Sequence, residues 1–159
     1  MPCELRPASS RGSPFHSLGV MDESDLKFDW YDAWILAAVV WGTEGDAPVP
    51  LWRLIGTADA LNKAIVSRGE LECGIGRLVS AGLVCVTPDG FKAMPRALAL
   101  KAPGPPMEIV SKAIGAQEWS PQSEMPQTQG ATYVSADAYN KALKKYKKEF
   151  WKLYHRKAE

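Results

Sequence analysis

The chain has 159 residues, 46 % of them hydrophobic, with a formal net charge of +1. That length buries one core of ordinary size, so the default is one domain with extensions, and the near-neutral total by itself selects neither a nucleic-acid nor a membrane partner. The distribution is less even: residues 27–102 hold eight Lys/Arg and eight Asp/Glu, whereas residues 136–159 hold eight Lys/Arg against three Asp/Glu.

Cys3, Cys73 and Cys85 form no C-x-x-C pair and no even framework. Cys73 and Cys85 fall inside predicted regular elements, where free Cys usually acts as a small buried hydrophobe, and a reducing cytoplasm is the expected compartment. No apolar run approaches the ~20 residues that span a bilayer, so a membrane partner is not expected. Residues 1–26 carry Pro, Ser, Gly and Arg without periodicity and are expected to be disordered. The start of patterned sequence at Met21 makes that residue a candidate biological start.

Asp29 reads as an N-cap, with Asp32 in the first turn, where the positive helix end favours a carboxylate. The helix from Trp30 to about Thr43 sets Trp30, Trp34, Ala37, Ala38 and Trp41 on one stripe, expected to be core. GTEGDAPVP ends it, and Val49 is a candidate for one short edge strand. A second helix follows from Leu51 to Leu61, with Asn62 as its left-handed end. Ile65 and Val66 are expected to plug the core beyond it.

Ser67 and Glu70 match a capping box. The helix they open carries Leu71, Ile75, Leu78 and Val79 on one face and stops at Gly82. Leu83–Thr87 is then a strand, Pro88-Asp89-Gly90 a turn, and Phe91–Met94 the returning strand. Pro95 opens a further helix over RALALKA. From Pro103 the composition shifts to a Pro/Gln-rich linker with a short helix at MEIVSKAIG. Ser135 or Asp137 caps a final helix reaching about Lys157. Tyr139, Ala142, Leu143, Tyr146, Phe150, Leu153 and Tyr154 share its apolar stripe, opposite Lys141, Lys144, Lys145, Lys148 and Lys152. The 4-3-4-3 spacing of Tyr139, Leu143, Tyr146, Phe150 and Leu153 also fits a heptad seam, so the stripe needs cover from the chain's own core or from a second copy.

The fold class expected is therefore mainly α with a small β-hairpin. The units are a disordered extension (1–26), a folded domain (27–102), a linker with a short helix (103–134) and a basic amphipathic helix (135–159). The junction GELECGIGRLVSAGLVCVTPDGFKAM, with Leu78, Gly82, Leu83 and Val84 leading a helix into a hairpin, resembles the winged helix-turn-helix superfamily of bacterial transcription regulators over residues 29 to about 100. The resemblance implies that the helix from Arg68 to Ala81 enters a major groove of double-stranded DNA, with Arg68, Gly69, Glu72, Cys73, Gly76, Arg77 and Ser80 outward and Lys92 of the hairpin near a phosphate.

Only Arg68 and Arg77 are good groove residues there, and DNA affinity needs several neutralised phosphates. Lys144 and Lys148 of the last helix are the expected supplement, and a homodimer through Tyr139, Leu143, Tyr146, Phe150 and Leu153 would present two such units. The alternative is a winged-helix protein-interaction module that binds no DNA. An enzyme is not expected. His16 and His155 lie in the flanks, no Walker motif occurs, no Cys/His spacing suits a metal, and no cofactor is implied.

Overall fold

The computed structural model describes residues 28–115 and 132–156. They form a mainly helical fold with one antiparallel hairpin. Expectations for residues 1–26, and for most of the polar loop before Thr132, lie outside the described residues.

α1 (Trp30–Gly42) begins at the expected cap: Asp29 and Asp32 exchange hydrogen bonds in a capping box, and the Asp29 carboxylate also accepts from the Trp30 amide at 2.7 Å. Ala33 through Val40 are all buried. A helix that is apolar all round has to be enclosed, and α1 is, by α2, α3 and α5. The expected single tryptophan stripe is thus a full turn of core, but Trp30 at its start is 47 % exposed. Trp34 is buried, with its indole N–H donating to the Ala58 carbonyl at 2.8 Å.

α2 (Leu51–Asn62) buries Leu54, Ile55 and Ala58. Its left-handed terminus falls on Lys63, with φ 53°, one residue later than expected at Asn62. Of the two residues expected to plug the core beyond it, Val66 is fully buried and Ile65 is exposed. α3 (Arg68–Ser80) opens with the Ser67–Glu70 capping box, whose bonds measure 3.3 and 2.7 Å. Leu71, Ile75 and Leu78 face the core. Gly74 lies against α1 so closely that a Cβ would overlap Ile35 Cδ1. Gly82, at φ +69°, reverses the chain.

β1 (Val84–Thr87) pairs with β2 (Gly90–Ala93) in the register Val84↔Ala93 to Thr87↔Gly90. Val49 adds the expected edge contact, exchanging hydrogen bonds of 2.7 and 2.9 Å with Phe91. That approach puts the Val49 carbonyl where a side chain at residue 90 would lie, which is why glycine stands there. Neither expected buried free thiol is found: Cys85 is exposed on β1, and Cys73 on α3 is disulfide-bonded. α4 (Pro95–Leu98) is a single turn, shorter than the helix expected. α5 (Pro106–Gly115) packs on α1 and buries Val110, so this part of the expected linker belongs to the core. α6 (Ala136–Arg156), capped by Ser135 Oγ accepting from the Ala138 amide at 3.2 Å, packs on α2.

Candidate interaction surface

The residues expected to read DNA start on α3. Arg77 is only partly exposed, and its Nε donates to both Asp32 oxygens, at 2.8 and 3.0 Å. The Asp32 carboxylate is fully buried and also accepts from the Asp29 amide at 2.6 Å. Burial raises its pKa above the ordinary carboxylate value, while the Arg77 hydrogen bond and charge pull the other way. Removing the guanidinium would leave that carboxylate buried and underpaired, so Arg77 is tied to the core through its Nε.

Part of the remaining outer face of α3 meets the segment that leads into α6, while Arg68 and Gly69 at its start are exposed. Glu72 accepts two successive backbone amides from the segment that leads into α6, Tyr133 at 2.8 Å and Val134 at 2.6 Å. Arg68 Nη1 donates to the Val134 carbonyl at 3.4 Å, and Val134 is buried. The Tyr133 ring lies over Gly76, 3.4 Å from where a Cβ would stand. Two successive amides converge on one carboxylate because the chain bends at Tyr133 and Val134, and charge-assisted hydrogen bonds are stronger than neutral ones.

α6 extends this contact along α2. Tyr139 donates to the Val66 carbonyl at 2.7 Å, and Tyr146 donates to the Asp59 carboxylate. The Tyr146 ring seats on Gly56, 3.0 Å from where a Cβ would stand, and Lys145 Nζ sits 4.9 Å above the Trp52 ring. Burial and the hydrogen bond to Asp59 push the Tyr146 hydroxyl up to about 12. Burial also raises Tyr139.

The expected oligomer seam therefore splits in two. Tyr139, Leu143 and Tyr146 are packed against the chain's own core. Phe150 and Leu153 are 50 % and 63 % exposed, and Trp151 beside them is also exposed. Lys144 and Lys148 are exposed, whereas Lys141 pairs with Asp137 and Lys152 with Glu149. Lys92 of β2 lies 3.8 Å from Asp46. Arg68, Arg77 and Lys92 thus each have an acid or carbonyl partner within the chain.

Reading the sequence missed Glu72, Gly56 and the Tyr133-Val134 pair as partners of one contact. The available signal was an adjacent aromatic and aliphatic residue in an otherwise polar loop, just before a capped helix. Among the described residues no group of His, Cys, Asp and Glu could hold a metal, and no helix is long and apolar enough to cross a membrane. No family model, curated protein or solved structure matches the chain.

Proposed function

We propose that the chain is a winged-helix-type protein-interaction module rather than a groove-reading DNA binder. The element order supports the winged-helix reading: a helix, a one-residue strand contact at Val49, two helices and a hairpin. The observation that carries the functional choice is the state of α3. Its outer face holds Tyr133 and Val134, and its second arginine is bound to buried Asp32. These contacts shorten the side-chain row that α3 can offer to base edges, which direct readout requires, and leave Arg68 as its exposed arginine.

A mobility-shift assay with random duplex at ~50 mM salt and again at moderate salt tests this, since phosphate contacts are strongest at low salt. No shift is expected at either concentration. A salt-sensitive shift would reverse the choice. In that event Lys144 and Lys148, exposed on the solvent side of α6, are the contacts to substitute first.

A further inference from the structure

The contact between α2, α3 and residues 132–146 has the form of a receptor and its ligand. On the receptor side, two glycines leave seats for two aromatic rings: Gly76 under Tyr133 and Gly56 under Tyr146. Three acceptors are spaced between and beside them. Glu72 takes the backbone amides of the bend at Tyr133 and Val134, the Val66 carbonyl takes the Tyr139 hydroxyl, and Asp59 takes the Tyr146 hydroxyl. On the ligand side, one continuous stretch supplies every matching group: a buried Val134, two amides and three tyrosines.

Only residues 116–131 join this stretch to the end of α5. Seventeen Cα–Cα steps reach at most ~60 Å, whereas a body of this size is roughly 30–35 Å across. The chain is long enough to deliver the segment to its own groove or to a neighbour's.

We propose that the α2–α3 groove is a docking site for this tyrosine-bearing strap and helix, filled in cis by residues 132–156 and able to take the same segment from a second copy of the chain. The inference rests on reading the chain as a protein-interaction module. A second copy has two ways to meet this surface. Pairing the exposed ends of α6 offers Phe150, Trp151 and Leu153, half to two-thirds exposed. That is roughly 300 Å² per copy from typical side-chain areas, well short of the ~800 Å² per partner of a stable interface. The same ends carry Lys147, Lys148 and Lys152, which repel their counterparts. Exchange of the whole segment instead reuses every seat and acceptor already present. The tether gives the cis segment a high effective concentration, so exchange is exposed by disabling cis docking in a complementary way.

Two full-length variants do this. Tyr133→Ala with Tyr146→Ala removes both rings and keeps the groove. Gly56→Leu with Gly76→Leu fills both seats and keeps the segment. All four positions lie on the contact and outside the enclosed core. Light scattering should give a monomer mass for each variant alone and a twofold mass for the equimolar mixture. A mixture that stays at the monomer mass, with both variants folded by circular dichroism, overturns the proposal.

Should either double variant fail to fold, a labelled synthetic peptide of residues 132–156 is titrated onto the full-length Tyr146→Ala chain. Saturable anisotropy is expected. An equal response from a peptide carrying Tyr133→Ala and Tyr146→Ala refutes the docking chemistry. Duplex DNA added to the same mixtures reports separately: a salt-sensitive shift removes the interaction-module reading, whatever the masses show.

Discussion

Replacing Arg77 with Met separates a structural arginine from a DNA contact. The substitution keeps most of the side-chain volume but deletes the cation facing Asp32, whose carboxylate is fully buried while Arg77 is 27 % exposed. Breaking a buried ion pair from one side costs about 3–5 kcal/mol. The partial exposure of Arg77 lets water in, and the Asp29 amide still serves one oxygen at 2.6 Å, so the lower end, about 3 kcal/mol, is expected. For a domain of this size that is a fall in Tm of roughly 10 °C.

The pH dependence fixes the cause. Burial already raises Asp32 above its ordinary value of 3.8. A raised acid binds its proton more tightly in the folded state than in the unfolded one. Its contribution to stability is therefore best below the unfolded value and is lost as pH rises through the window above it. Deleting the guanidinium removes the influences that hold the pKa down, which widens that window upward. The difference in Tm between wild type and Arg77→Met should thus be largest near neutrality and shrink as pH falls toward 4, and adding Asp32→Asn should restore much of the loss. A deficit that does not vary with pH, or that stays below ~1 kcal/mol at neutral pH, refutes the reasoning.

The contact between α2 and α6 has its own signature. Tyr146 is pushed up to about 12 by burial and by its hydrogen bond to Asp59. Tyr146→Phe should remove a late-ionising tyrosine from an absorbance titration. Wild type should lose stability as pH rises from the ordinary tyrosine value near 10 toward 12, because the unfolded chain ionises first, and the variant should show less of that loss, keeping the part due to Tyr139. A variant that loses amplitude near pH 10, the ordinary tyrosine value, and keeps the late component would show that the hydroxyl is not held. At the other end of the same helix, Phe150→Ser with Leu153→Ser should change stability by no more than about 0.5 kcal/mol, as for exposed sites generally. A larger loss by thermal melting would mean that the two residues are covered in solution.

What the sequence made legible is what is encoded within a few residues. The Asp29 and Ser67 caps, the Gly82 stop, the hairpin turn and the apolar faces of α2 and α3 each rest on neighbours three or four positions away. The contacts that decide function join residues far apart in the chain. Arg77 meets Asp32 across 45 positions, and Glu72 meets Val134 across 62. Each looks locally like something else. Arg77 sits among outward residues of a helix, so the winged-helix resemblance presents it as a groove contact. Glu72 looks like an obstacle to phosphate until the backbone amides it accepts are seen. A charged residue read from helical phase alone shows which way it points, and what it points at depends on the rest of the fold.

The apolar stripe of α6 carries this furthest. Its spacing runs unbroken from Tyr139 to Leu153, and nothing in that periodicity marks a change of surroundings. The change comes from the end of α2. Gly56 and Asp59 receive Tyr146, and Trp52, one residue into α2, receives Lys145. Phe150 and Leu153 lie beyond that point and stay exposed. A heptad seam and a cis-packed amphipathic helix ask for the same residues, so the sequence left both open. The glycine seats on α2 and α3 decide between them for the first half of the helix. They have no counterpart for the second half, and so a dimer built on the exposed end alone has too little surface to hold, whereas one built on exchange inherits a contact that the chain already makes.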